Sequence, residues 1–161
     1  VIVVGGGGEL LQSYRERVVA EGLCSRIEFV GRIPDEDLPA YFEAAQVFCL
    51  TSIVRAEAYG VVLLEAMAMG KPVVATDIPG SGVPWVNQHE VTGLNVPVGD
   101  GPATAAALNR ILGNAEWAAH LGANGLQRFQ RELTADAMVE RTLDLYRRLL
   151  NERGAMKPFV A

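Results

Sequence analysis

The sequence predicts an α/β fold, a parallel sheet with helices on both faces, and three observations carry that prediction. Short β-branched runs alternate with longer stretches of helical periodicity along the 161 residues. Glycine-rich or polar turns separate them, the punctuation expected of strand-to-helix connections. Half of the chain is hydrophobic, enough for one domain with a substantial core. No apolar run reaches the roughly 18 residues of a membrane span, and no signal-peptide pattern is visible at the first residues. A net charge of −5 argues against a nucleic-acid surface, which needs a basic face, but a local site can still take an anion. Cys24 and Cys49 lack metal-ligand spacing and are expected to be buried free thiols in a reducing compartment.

Residues 1–4 form a β-branched run, so the chain opens inside a strand, which predicts a fragment of a longer protein. Gly5 to Gly8 then turn the chain into a helix over 9–21, with Leu10, Leu11, Tyr14, Val18 and Val19 as its apolar stripe and Gly22 as its stop. This is not a dinucleotide fingerprint: counted from Gly5, the third glycine position is Leu10. A second strand is expected at 27–30, followed by the loop Gly31-Arg32-Ile33-Pro34. Asp35 suits the N-cap of a helix reaching Ala45, with Leu38, Tyr41 and Phe42 facing inward.

The stretch from Leu50 to Thr76 organises the rest. Residues 47–50 fit a buried strand, and Thr51-Ser52 begins a loop at its carboxyl end. A helix is expected over about 59–69, stopped by Gly70 in the left-handed position and by Pro72, before the β-branched Val73-Val74. Its first turn, next to Gly60, offers backbone N–H groups and a positive dipole end to an anion. The helix is apolar nearly all round, so Glu65 is expected to be a buried carboxylate that needs a donor. Glu57 stands in the loop above the strand end. Phosphate at a helix start and hydroxyl groups on two carboxylates describe a nucleotide sugar.

Downstream, residues 76–82 make a turn-rich loop at a strand end, where open α/β sheets bind ligands. A last short strand is expected to end at Val96, after a polar loop with His89 read as solvated. Three helices follow. They cover 103–112, then 116–129 with interruptions at Gly122 and Gly125, then a stretch capped by Thr134 with Val139, Leu143, Tyr146 and Leu150 as its stripe. None of them looks like a site, and residues 154–161 read as a frayed tail after a domain covering 1–153.

The run Thr51-Ser52, Glu57-Ala58-Tyr59-Gly60-Val61, Leu64-Glu65-Ala66-Met67-Ala68, Gly70, Pro72-Val73-Val74-Ala75 resembles the Glu-x7-Glu signature of retaining nucleotide-sugar glycosyltransferases of the GT-B fold. The resemblance extends over roughly 1–150 and implies the C-terminal, donor-binding, Rossmann-type half of such an enzyme, lacking its first strand. It implies that Glu65 accepts ribose hydroxyls and that Glu57, the candidate catalytic residue, accepts hydroxyls of the donor sugar. Gly60, Val61 and Val62 would meet the diphosphate through backbone N–H groups, and Tyr59 counts among the donor-binding residues. Gly7 and Gly8 would border the nucleotide, Arg32 and Ile33 the base, and Gly80 and Ser81 the sugar or phosphates. Trp85 stands where the family commonly has a glutamate, and Glu90 and Asn95 also depart from the family pattern.

The resemblance further implies no metal and no cofactor beyond the nucleotide-sugar substrate. The acceptor, a saccharide or lipid-linked saccharide, would be bound by a missing N-terminal domain, through which alone a membrane would be touched. The location implied is cytoplasmic. The site would lie between two domains, one of which is not here, so the chain alone is expected to be inactive; an upstream Arg and Lys that clamp the diphosphate in the family are not in this chain either. That absence, with Trp85, keeps open an alternative: a nucleotide- or sugar-phosphate-binding module without transferase activity.

Overall fold

The computed structural model describes residues 1–155. Strands and helices alternate up to the fifth strand, and every strand pair is parallel. The chain divides into two compact units, Val1–Ala44 and Ala45–Ala161, and the strands form two hydrogen-bonded sheets.

In the first unit β1 (Ile2–Gly5) pairs with β2 (Ile27–Gly31), Ile2 opposite Ile27 and Val4 opposite Phe29. The connecting helix α1 (Leu11–Ala20) buries none of its residues, and Leu10, Tyr14 and Val19 of the expected stripe are exposed. A two-stranded sheet has too little surface to cover a helix face. The helix α2 (Leu38–Ala44) begins later than expected. The N–H groups of Asp37 and Leu38 both donate to the Pro34 carbonyl, which puts Asp35 inside a turn instead of at the cap. Phe42 is buried as predicted, whereas Tyr41 is exposed. Cys24, expected to be buried, is exposed in the turn before β2.

In the second unit β3 (Phe48–Leu50), β4 (Val73–Asp77) and β5 (Gly93–Pro97) lie side by side with β4 in the centre. Helices α3 (Val61–Ala68), α4 (Val83–Val86) and α5 (Gly101–Leu112) all touch β4. Covered on both faces, β4 is apolar without alternation, and Val73, Val74 and Ala75 are completely buried. Val74 joins Leu94, Val96, Ala107, Ile111 and Leu121 in one apolar cluster drawn from the sheet, α5 and α6 (Ala115–Arg128). Asp100 and Asn114 cap α5 and α6, accepting the N–H groups of Ala103 and Trp117 at 2.8 and 2.9 Å.

The helix α6 runs unbroken through Gly122 and Gly125, which the sequence suggested as interruptions. A Cβ at Gly122 would collide with the Gly70 carbonyl, and one at Gly125 would press on Met67. The glycines let α6 approach α3 closely. A π-helical turn (Phe129–Leu133) leads into α7 (Ala135–Ala155). Thr134 caps α7 as predicted, its hydroxyl accepting the Ala137 N–H at 3.2 Å. The α7 stripe of Val139, Leu143, Tyr146 and Leu150 is exposed. The helix includes Gly154 and Ala155 from the expected tail, and the rest of that tail lies outside the described residues. Among the described residues no helix is long and apolar enough to cross a membrane.

Candidate functional site

Because β3 and β4 are parallel neighbours, their carboxyl ends deliver two loops, 51–60 and 78–82, to the same side of the sheet. Hydroxyl and backbone bonds join these loops. Thr76 Oγ1, on β4, donates to the Ser52 carbonyl. The Ser81 hydroxyl donates to the Glu57 carbonyl and accepts the Val83 N–H at 3.1 Å. The Gly82 N–H donates to the Ala58 carbonyl at 2.7 Å.

Glu57 is half-buried within this junction. Ser52 Oγ donates to its Oε2 at 3.0 Å, and the Gly60 N–H donates to its Oε1 at 3.2 Å. Each carboxylate oxygen has a second acceptor site, so the group is oriented and can still receive a donor from a ligand. Gly60 is itself buried, with φ +76° and ψ +58°, and a Cβ there would press on Leu63 and Val83. Only glycine meets both demands cheaply, and this left-handed residue turns the chain into α3. The Leu63 N–H is used at once, donating to the Gly60 carbonyl at 2.8 Å. The N–H groups of Val61 and Val62 have no hydrogen-bond partner among the described residues. Two free donors at the positive end of a helix dipole can bind an anion.

Glu65 corrects the expectation of burial: it is exposed. The helix α3 buries Leu63, Ala66 and Met67, while Val61, Glu65 and Met69, spaced four apart, form an exposed strip. A helix apolar on all sides has no period from which the covered face can be read. Gly70 does take the left-handed conformation expected after α3, with φ +63°.

Gly80 is exposed and Ser81 half-buried in the second loop. The exposed Arg55 lies over Gly80, where a Cβ would stand 3.3 Å from its Nε. Half-buried Tyr59 packs against Gly82. Its ring lies 6.0 Å from that of Trp85, tilted by 35°. Trp85 belongs to α4, a helix hidden from sequence reading by its four-residue length and by Pro84. The Arg128 guanidinium sits 4.9 Å over the Trp85 ring and donates to the carbonyls of Trp85 and Val86 at 2.9 and 3.3 Å. Ser52, Thr76 and Arg128 are the residues that sequence reasoning missed as partners. A hydroxyl residue at a strand end ahead of a loop carboxylate was a usable signal for Ser52, but nothing local announces Arg128.

Gly7, Gly8, Arg32 and Ile33 belong to the first unit. Gly7 and Gly8 are exposed, with Gly8 at φ +135°. The Ile33 side chain packs on Gly5. Arg32, with Pro34, Asp35 and Glu36, lines an open depression of about 340 Å³.

Other candidates are structural. Burial pushes the Cys49 thiol up to about 11, so it stays protonated and is a poor nucleophile. His89, read as solvated, accepts the Asn95 N–H on Nδ1 at 2.9 Å. Among the described residues no group of three or more His, Cys, Asp and Glu side chains could hold a metal ion.

Residues 1–128 match the family described as Glycosyl transferases group 1. The O-antigen chain mannosyltransferase C of Escherichia coli is 33% identical over 153 residues, which are 95% of this chain and 41% of that enzyme. The sucrose-phosphate synthase of Thermosynechococcus elongatus superposes with a TM-score of 0.79 at 35% identity, over 93% of this chain and 38% of that one. The Anabaena protein HepE, solved with UDP-glucose, shares the fold with a TM-score of 0.76 at 24% identity, over 88% of this chain and 40% of that one. The chain thus spans about two fifths of these relatives, a share of 41% in the mannosyltransferase.

Proposed function

The chain belongs to the glycosyl transferases group 1 family, and on that premise we propose that it is the donor-binding part of a retaining glycosyltransferase of the Glu-x7-Glu group. The whole enzyme moves a sugar from a nucleotide diphosphate to an acceptor hydroxyl. The observation that carries this reading is the start of α3. A left-handed glycine, a carboxylate fixed by two donors, two unpartnered N–H groups and an exposed second carboxylate stand within nine residues of chain, 57–65.

Breaking the bond between sugar and diphosphate builds negative charge on the leaving group, and preorganised donors aimed at that charge lower the barrier. The Val61 and Val62 N–H groups serve here, at the dipole end. Tyr59 and Gly60 shape the approach. Glu57, held by Ser52 and Gly60, accepts hydroxyls of the donor sugar. Glu65, one turn further along the exposed strip, accepts the ribose hydroxyls. Gly80 and Ser81 border the sugar or the phosphates. The roles of Gly7, Gly8, Arg32 and Ile33 toward the nucleotide rest on family resemblance alone. The whole enzyme would use no metal, since helix dipole and basic side chains carry the diphosphate charge, of which this chain supplies the dipole and lacks the family's basic clamp. Its place is the cytoplasm, at the inner membrane face where the acceptor is lipid-linked.

Calorimetric titration of the chain with UDP, ADP and GDP, beside Glu65→Ala, tests this. The expected result is binding of one diphosphate, weakened at least tenfold in the variant. A bound diphosphate indifferent to Glu65→Ala contradicts the assignment. No transfer to an acceptor is expected from the chain alone, and measurable turnover would contradict that expectation.

A further inference from the structure

We propose that Trp85, with Tyr59 beside it, is a stacking platform for a pyranose ring at the rim of the Glu57 site. The inference takes its place in the reaction from the donor-binding reading, but it stands on its own geometry. Trp85 is 52% exposed, so much of its surface is open to a ligand. Yet the ring is firmly held. The Arg128 side chain behind it is only 9% exposed, pairs with Glu132 at 2.5 Å, and donates further to the carbonyls of Trp85 and Val86. The guanidinium covers one face of the ring, and half of the residue still meets solvent. A surface aromatic fixed from behind pays its ordering cost in folding, which is how a preorganised binding element is built.

Its neighbours say what it would hold. The half-buried Tyr59 ring stands 6.0 Å from that of Trp85, tilted by 35°, on the loop that carries Glu57 two positions upstream. The same loop meets the Trp85 segment through the Gly82 N–H and the Ser81 hydroxyl. A pyranose has C–H-rich faces that suit an aromatic ring and an equator of hydroxyls that suits a carboxylate. An aromatic wall beside a few oriented polar groups answers both. A glutamate at position 85 could bond hydroxyls but would offer no face. The ring held here belongs either to the donor sugar or to the acceptor saccharide, whose chemistry at this surface is the same.

Tryptophan emission reads the platform directly. The chain has two tryptophans, Trp85 and Trp117, so a Trp117→Phe background leaves Trp85 as the reporter. The probes are UDP, GDP and ADP, their glucose and mannose conjugates, and free maltotriose and mannobiose. A sugar-bearing probe is expected to shift the Trp85 emission. Trp85→Ala should weaken its binding by roughly tenfold and Trp85→Phe by much less, with the bare diphosphates unaffected. A response to nucleotide sugars assigns the donor, and one to free saccharides assigns the acceptor. Silence of Trp85 in every sugar arm, or undiminished sugar binding by Trp85→Ala, overturns the platform. Saccharide response with no diphosphate binding would sink the donor-binding reading and leave the platform standing.

Discussion

Two loops of the second unit use polar side chains in opposite ways. Residues 87–92 precede β5, at the amino end of the sheet, and close on themselves. The fully buried Asn87 donates to the Leu94 carbonyl and to Asn95 Oδ1, and accepts the Thr92 hydroxyl at 3.0 Å. The Asn95 side chain donates back to the Asn87 carbonyl, and the Gln88 N–H donates to Thr92 Oγ1. Glu90 holds a left-handed backbone at φ +61° and pairs with Arg110, itself stacked on Trp117. The loops at the carboxyl ends of β3 and β4 orient Glu57 just as firmly. But they leave the Val61 and Val62 N–H groups, the Glu65 carboxylate and the Arg55 guanidinium without partners among the described residues. The closed network stabilises the fold. The open one keeps unspent hydrogen-bonding capacity and both signs of charge in reach of solvent, which is what a ligand site requires.

Substitutions should separate the two. The largest effect is expected from Asn87→Ala, which removes a partner from the Leu94 carbonyl, the half-buried Asn95 amide and the buried Thr92 hydroxyl. Denaturant unfolding should show a loss of about 2–4 kcal/mol, with diphosphate affinity unchanged. Ser52→Ala should do the reverse. Stability should fall by only about 1 kcal/mol, while affinity for the sugar-bearing ligand drops by roughly tenfold because Glu57 loses one of its two anchors. If Ser52→Ala binds as the parent does, Glu57 is a structural staple and the open loop is less distinct from the closed one than it looks.

The acid limb offers a smaller contrast. Arg110, through its hydrogen bond and its charge, holds the Glu90 carboxyl below the usual carboxylate range. A lowered native value means that this contribution is present above the carboxyl's unfolded value and disappears as pH falls through the lowered one. Melting temperatures followed downward from pH 5 should therefore lose this acid-sensitive increment in Glu90→Gln. Equal slopes in the two proteins would show that the pair adds nothing. The smallest expected effect concerns the thiols. Near pH 8, iodoacetamide should label exposed Cys24 and spare Cys49, whose thiol is pushed up to about 11.

Much of this was legible in the sequence, and the gaps have physical causes. The strand at Val73-Val74 and the end of α3 were readable because Gly70 and Pro72 punctuate them and β4 is buried on both faces. The Glu57 loop and Gly60 were readable from the spacing of unlike residues around a helix start. The exposure of Glu65 was not, since a helix apolar all round has no face marked by period. Trp85 and Arg128 stand 43 positions apart, so no local pattern joins them. Gly122 looked like a break because helix propensity is a local quantity, whereas the contact that requires glycine there comes from Gly70.

The contrast between open and closed loops is tested most directly by amide chemical-shift mapping as the chain is titrated with the nucleoside diphosphate it binds. The account predicts the largest shifts at Val61 and Val62, with Gly60 close behind, and none beyond noise at Asn87, Thr92 or Asn95. A bound diphosphate that moves the 87–95 amides and leaves Val61 and Val62 in place would contradict it.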